Sequence, residues 1–174
     1  MCQLPEFRKG TAQLASRMST NLGQVAGHAS AARIGRWIVS AVPFGWTWIP
    51  EFGIQKQAAG VTPSNIYLRE DVLLAGDKLA LYIKAQITLM KRTFLDPVIA
   101  GPALIDFPGA AEAALLMIKH QPTQGNTVFQ VQHYVRVGTW IGIATLTTLE
   151  SELLKVRPDF DQFIKFLTIQ PDLA

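Results

Sequence analysis

Along residues 128–137 apolar and polar side chains alternate, with Phe129, Val131, Val135 and Val137 on one side and Gln130, Gln132, Tyr134 and Arg136 on the other. A period of two marks a strand with one buried face. Gly138 supplies a turn, and Trp140 to Thr147, rich in β-branched residues, predicts the partner strand. After Leu149 the period lengthens. Leu153, Val156, Phe160, Phe163, Ile164 and Leu167 recur every three or four residues, which is helical spacing. Pro158 interrupts that run, predicting a first turn that ends near Arg157 and a second segment with Pro158 at its first helical position.

Upstream, residues 1–32 are dominated by Ala, Ser, Gly, Gln and Asn, and only Leu14, Met18 and Leu22 hint at a short amphipathic helix. They read as a flexible or weakly helical extension ahead of one domain over residues 33–174. Trp37 to Val39 predicts a strand. Pro43-Phe44-Gly45-Trp46 predicts a turn, after which Trp46 and Trp48 share one side of an extended segment as core anchors. Gln55 to Ser64 reads as a loop and Asn65 to Arg69 as a strand. Asp77 is a candidate N-cap for a helix carrying Ile83, Ile87, Met90 and Phe94, with Lys91 and Arg92 at its negative end and Asp96-Pro97 as its stop. Val98 to Ile105 predicts a strand whose internal Gly101-Pro102 demands an edge or a bulge. Ala111 to Lys119 is apolar on both faces, so its own fold or a partner covers both. Gln121 to Asn126 is a hairpin loop. This order predicts an α+β fold: a mainly antiparallel β-sheet flanked by helices.

Composition sharpens the picture. The chain of 174 residues is 49% hydrophobic and 17% charged, a large apolar share for a sheet and two helices to bury alone. A surplus of that kind calls for a hydrophobic client or a second copy. Leu115, Met117, Ile141 and Ile143 are the candidates for a client-binding face, with Gln130, Gln132 and Tyr134 offering polar contacts to the backbone ends of client helices. Net charge is +3, and Arg8, Lys9, Arg17, Arg33 and Arg36 face only Glu6 in the first fifty residues, so the remainder has no basic stripe. That argues against nucleic acid as a partner.

One cysteine excludes an internal disulfide framework and a cysteine-cluster metal site. Trp37 to Ile49 is too short to span a bilayer, and the first thirty residues lack an apolar signal core, so the expected location is cytoplasmic. No phosphate loop, dinucleotide fingerprint, nucleophile elbow or paired zinc histidines occur. His28, His120 and His133 are dispersed, and His133 is expected to be a half-buried structural residue beside Val131 and Val135. Glu150, Glu152, Asp159 and Asp161 read as carboxylates near helix starts. The expectation is a non-enzymatic protein with no catalytic, cofactor-binding or metal-binding residues.

The runs Tyr134-Val135-Arg136-Val137-Gly138, Ile143-Ala144-Thr145-Leu146-Thr147-Thr148 and Val156-Arg157-Pro158-Asp159-Phe160-Asp161 resemble the C-terminal half of the DcrB-related family, which includes the Eag chaperones of type VI secretion. Pro43 to Trp46 resembles the family's proline–glycine–tryptophan segment, Asn65 to Leu73 its following strand, and Leu79 to Phe94 its central helix. The likeness runs from Arg33 to Leu167. It differs at Thr47-Trp48-Ile49-Pro50, where the family has an Asp and a Ser, and in the extension before Arg33. The resemblance implies a PsbP-like, Mog-type fold. It also implies a non-enzymatic homodimer that shields the hydrophobic N-terminal transmembrane segment of a secreted effector before export. The alternative it leaves is a DcrB- or PsbP-like accessory protein of the envelope or of a larger assembly. An enzyme would instead need a polar pocket with convergent titratable groups.

Overall fold

Four consecutive strands of ten residues or fewer, each pairing with the next, form the backbone of the fold. The computed structural model describes residues 32–49, 53–56, 64–122 and 125–170. Residues 1–31 of the predicted extension, with Leu14, Met18 and Leu22, and residues 57–63 of the predicted loop lie outside the described residues. In chain order the elements are β1 (Ala32–Ile34), β2 (Trp37–Val39), β3 (Trp46–Ile49), β4 (Gly53–Lys56), β5 (Asn65–Val72), α1 (Leu79–Thr93) and β6 (Leu95–Leu104). There follow β7 (Glu112–Gln121), β8 (Val128–Val137), β9 (Trp140–Leu149), a 3-10 turn (Glu150–Glu152), α2 (Leu153–Lys165) and β10 (Leu167–Ile169).

Among the described residues these strands make a seven-stranded sheet, ordered β3-β4-β5-β9-β8-β7-β6, and a three-stranded sheet, ordered β1-β2-β10. Every pairing is antiparallel. The fold is therefore α+β, as expected.

One face of the large sheet is covered by α2 and the small sheet. Leu68, Ala144, His133 and Leu115 lie side by side across four strands, and Ile66, Leu146, Val131 and Met117 form the next row. Val156, Phe160 and Phe163 of α2 pack on this face with Trp37 and Val39 of β2 and Leu167 of β10. Trp37 sits edge-on to Trp140, with centroids 5.3 Å apart, and to Phe107 at 6.0 Å. Each such pair contributes about 0.5–1.5 kcal/mol beyond its buried area. Gly142 permits this cluster, because a Cβ there would lie 2.3 Å from both the Trp37 and Trp140 rings. The small sheet is a covering layer in which β2 is the strand expected at Trp37 to Val39, while β1 and β10, three residues each, show no hydrophobic periodicity. It buries part of the chain's apolar surplus within the fold itself.

On the opposite face α1 buries Leu79, Ile83 and Met90 against Ala114, Leu116 and Ile118 of β7, Tyr134 of β8, and Ile141 and Ile143 of β9. The doubly apolar β7 is thus covered on both sides by its own fold.

Several local expectations are corrected. Asp77 does not cap α1. Lys78 holds the N-cap position without a side-chain bond, and the Leu79 N–H donates to Glu112 Oε2 of β7 at 2.9 Å. Pro158 does not restart a helix but lies inside continuous α2. The carbonyl its missing N–H would have bonded belongs to Leu154, which is 83% exposed and open to water. Asp159 is no helix-start carboxylate: it accepts from Trp46 Nε1 at 2.9 Å and Lys56 Nζ at 2.8 Å, tying the β3–β4 hairpin to α2. Gln55 and Lys56, expected in a loop, belong to β4. The edge assignment of β6 holds, and its register slips at Pro97 and again around Gly101-Pro102.

Candidate functional site

The strand registers align the α1 face into rows that explain where the site lies. Asp71, Ile141, Arg136 and Glu112 form the first row, and Arg69, Ile143, Tyr134 and Ala114 the second. Tyr67, Thr145, Gln132 and Leu116 form the third, and Asn65, Thr147, Gln130 and Ile118 the fourth. Along β9 this face therefore changes from Ile141 and Ile143 to Thr145 and Thr147. Along β8 it changes from Tyr134 to Gln132 and Gln130. The apolar part is a wedge that runs from Ile141 of β9 in the first row, through Ile143, Tyr134 and Ala114 in the second, to β7 alone in the last two. A helix that buries that wedge must cross the strands obliquely.

Contacts at the two ends of α1 show this crossing. Near its N-terminus, Tyr82 reaches across to β5, its hydroxyl donating to Asp71 Oδ2 at 2.6 Å, and its ring meets Tyr134 edge-on at 6.2 Å. At the far end Phe94 stacks on His120 of β7, with centroids 4.0 Å apart. Between α1 and strands β5, β9 and β8 a groove of about 400 Å³ is left open. Gln86, Leu89, Met90, Thr93 and Phe94 form its helical wall, and Asn65, Tyr67, Arg69, Gln130, Gln132, Tyr134, Ile143, Thr145 and Thr147 its floor.

The floor is dominated by amides and hydroxyls. Tyr134 donates its hydroxyl to Gln132 Oε1, and Gln132 Nε2 donates to Gln130 Oε1 at 3.1 Å. Burial pushes the Tyr134 phenol well above its ordinary range, with the Tyr82 phenol adding to the rise. At the narrow end burial and the bond to Asp71 push Tyr82 up to about 12. The same bond holds the Asp71 carboxyl below its usual range. Arg69 Nη2 donates to the Tyr82 hydroxyl at 3.3 Å.

Four of the seven candidate client-binding residues, Gln130, Gln132, Tyr134 and Ile143, come together in this groove. Ile141 shares their face but is buried among the apolar residues that α1 covers. Leu115 and Met117 point the other way, into the core beneath α2 and the small sheet, because odd and even positions of β7 face opposite sides. The helical wall and the β5 contribution were not singled out from sequence. Their signal was the change from Ile to Thr along one face of β9. His133, expected half-buried, is only 6% exposed, stands edge-on to Phe160 at 5.3 Å and has no hydrogen-bond partner on either ring nitrogen. Among the described residues no cluster of three or more His, Cys, Asp or Glu side chains is placed to hold a metal. No helix among them is long and apolar enough to cross a membrane.

No protein-family profile matches the sequence, and no curated protein does. Solved structures do match. LpqN of Mycobacterium tuberculosis, described as involved in cell envelope biogenesis, aligns over 85% of this chain and 90% of its own, at 17% identity and a TM-score of 0.64. PA94 of Pseudomonas aeruginosa, a protein of unknown function, aligns over 84% of this chain and 100% of its own, at 20% identity and 0.61. CyanoP, the cyanobacterial PsbP of Synechocystis, aligns over 86% of this chain and 96% of its own, at 10% identity and 0.56. The chain has the PsbP-like fold. At these identities the likeness establishes the fold alone. Within this PsbP-like frame the groove beside α1 arises from this chain's own change from apolar to polar along β8 and β9.

Proposed function

We propose that the protein is a non-enzymatic adaptor that holds a hydrophobic, helix-forming segment of a partner polypeptide in the groove beside α1. The partner in this reading is a type VI secretion effector bound in the cytoplasm before export, as the resemblance to the Eag members of the DcrB-related family implies, and the adaptor works as a homodimer. The observation that carries the reading is the pairing of an apolar wall, Leu89, Met90 and Phe94, with a floor of Gln, Thr and Asn side chains. Such a surface offers dispersion contacts to an apolar helix and hydrogen bonds to its unpaired backbone ends. Arg69 is the one floor side chain carrying a full charge. The Tyr134 phenol is spent on Gln132, which suits holding better than proton transfer. A second reading, an accessory protein of the envelope or of a larger assembly, draws on the fold shared with LpqN and CyanoP.

Co-expression with the secreted effector encoded beside the gene tests the proposal. The effector's apolar N-terminal segment should be soluble only in the chain's presence, and the complex should sediment with two copies of the chain. Thr145→Arg, which puts a charge on the groove floor, should abolish co-purification while leaving the melting temperature within a few degrees. An effector equally soluble alone overturns the chaperone reading. Membrane fractionation of the chain would favour the second one.

A further inference from the structure

The groove differs at its two ends, and we infer that its occupant is a helix lying antiparallel to α1, with its C-terminal end at Arg69. This rests on the proposed adaptor function and adds the direction of binding. The narrow end is closed where Tyr82 of α1 donates to Asp71 of β5 at 2.6 Å. Arg69 stands on the floor just inside that barrier. It spends one N–H on the Tyr82 hydroxyl, and a guanidinium carries five donors in all.

The floor's hydrogen bonds run in one direction. The Tyr134 hydroxyl hydrogen goes to Gln132 and one Gln132 amide hydrogen to Gln130, so the carbonyls of both glutamines are engaged within the chain and Tyr134 has no hydrogen left to give. The donors that the narrow end presents to an occupant are therefore those of Arg69, the charged side chain of the floor. A helix C-terminus supplies the complement, because its last four carbonyls lack intrahelical partners and carry about half a negative charge.

The dipole of α1 favours the same direction. Its N-terminus lies at the narrow end, where the Leu79 N–H meets Glu112, and its C-terminus lies at the open mouth, where Phe94 covers His120. An antiparallel occupant sets opposite poles side by side at both ends; a parallel one sets like poles together.

The test uses the full chain, isotopically labelled for amide NMR, and an acetylated and amidated Leu-Ala-Ser peptide of about 20 residues, roughly 30 Å long as a helix. The peptide carries a nitroxide on its first or its last residue. A label on the last residue should broaden the amides of Arg69, Ile143 and Tyr134; a label on the first should broaden those of Asn65, Gln130 and Thr147. Arg69→Gln should weaken binding by about two- to five-fold, the effect of one charge at a helix end, and should leave the chain folded. Reversed broadening, or equal broadening of both ends by both labels, overturns the direction while leaving the groove as the binding site. Saturable binding that broadens other residues, or no binding, overturns the groove reading and the direction with it.

Discussion

The buried imidazole of His133 makes the stability of this protein depend on pH in a calculable way. The ring lies between Leu115 and Ala144 in its row, edge-on to Phe160 of α2, with neither nitrogen hydrogen-bonded. Burial, helped by the Arg157 charge, lowers its pKa from 6.5 to about 3. The unfolded chain therefore binds this proton more readily than the folded one, so stability rises with pH. The contribution of neutral His133 is fully present above about 6.5 and is lost as pH falls toward 3. At pH 5 the group sits about 1.5 units below its unfolded pKa and still above its folded one. Each unit is worth about 1.4 kcal/mol, so the loss is about 2 kcal/mol.

His133→Leu removes the titration and keeps an apolar side chain of similar size. Its cost at pH 7.5 should stay under about 1.5 kcal/mol. Urea denaturation followed by tryptophan fluorescence at pH 7.5, 6 and 5 is the assay. Wild type should lose about 2 kcal/mol more than the variant across that range. Comparing the two cancels the background from other groups, including His120, whose pKa burial also lowers. Equal losses in wild type and variant, within about 0.5 kcal/mol, would mean that the ring protonates without unfolding, refuting its burial in an unbonded state.

Two further outcomes follow from packing and capping. Glu112→Ala removes both the acceptor for the Leu79 N–H and the 3.0 Å pair with Arg136. It should destabilise the fold by about 1–2 kcal/mol, mostly through the cap since the ion pair is partly exposed, measured by chemical denaturation. Gly142→Val places a side chain where the Trp37 and Trp140 rings already stand. It should cost about 3 kcal/mol or more and lower the melting temperature by well over 5 °C, and a variant that melts within a degree of wild type would refute the packing argument.

The long elements were legible because each buries one regular stripe. β8 was predicted over its full span of Val128–Val137, and α1 was predicted from its stripe of Ile83, Ile87, Met90 and Phe94. The edge role of β6 followed from Gly101-Pro102, whose proline cannot donate to a ladder. Of the small sheet only β2 was legible, as the strand Trp37–Val39; β1 and β10 have three residues each and are stabilised by packing on α2 and the large sheet rather than by any local pattern. The cap on α1 was missed because its acceptor, Glu112, lies 33 residues further along the chain. The site was half legible. Alternation in β8 put Gln130, Gln132 and Tyr134 on one face, but which face of β7 joined them depended on register, and a one-residue difference separates Leu116 from Leu115.

The polarity of the groove floor reconciles two demands that an apolar floor would set against each other. A shelf of Ile and Leu beside α1 would hold a hydrophobic segment strongly, yet when empty it would be an exposed patch inviting self-association. Thr145, Thr147, Gln130 and Asn65 remain hydrated when the groove is empty and can exchange that water for an occupant's backbone groups with little net change in hydrogen bonding. In the proposed adaptor, affinity would then come chiefly from the apolar wall of Leu89, Met90 and Phe94, which borders the floor along one side. The substitution of Thr for Ile between the second and third rows of β9 thus does two things at once. It ends the apolar wedge that sets the tilt of α1, and it begins the floor that the tilt leaves uncovered. A Thr145→Ile, Thr147→Ile double variant extends the wedge, and α1 cannot cover the extension while Tyr82 is bonded to Asp71. That coupling makes the tilt of the helix and the character of the groove consequences of the same few residues.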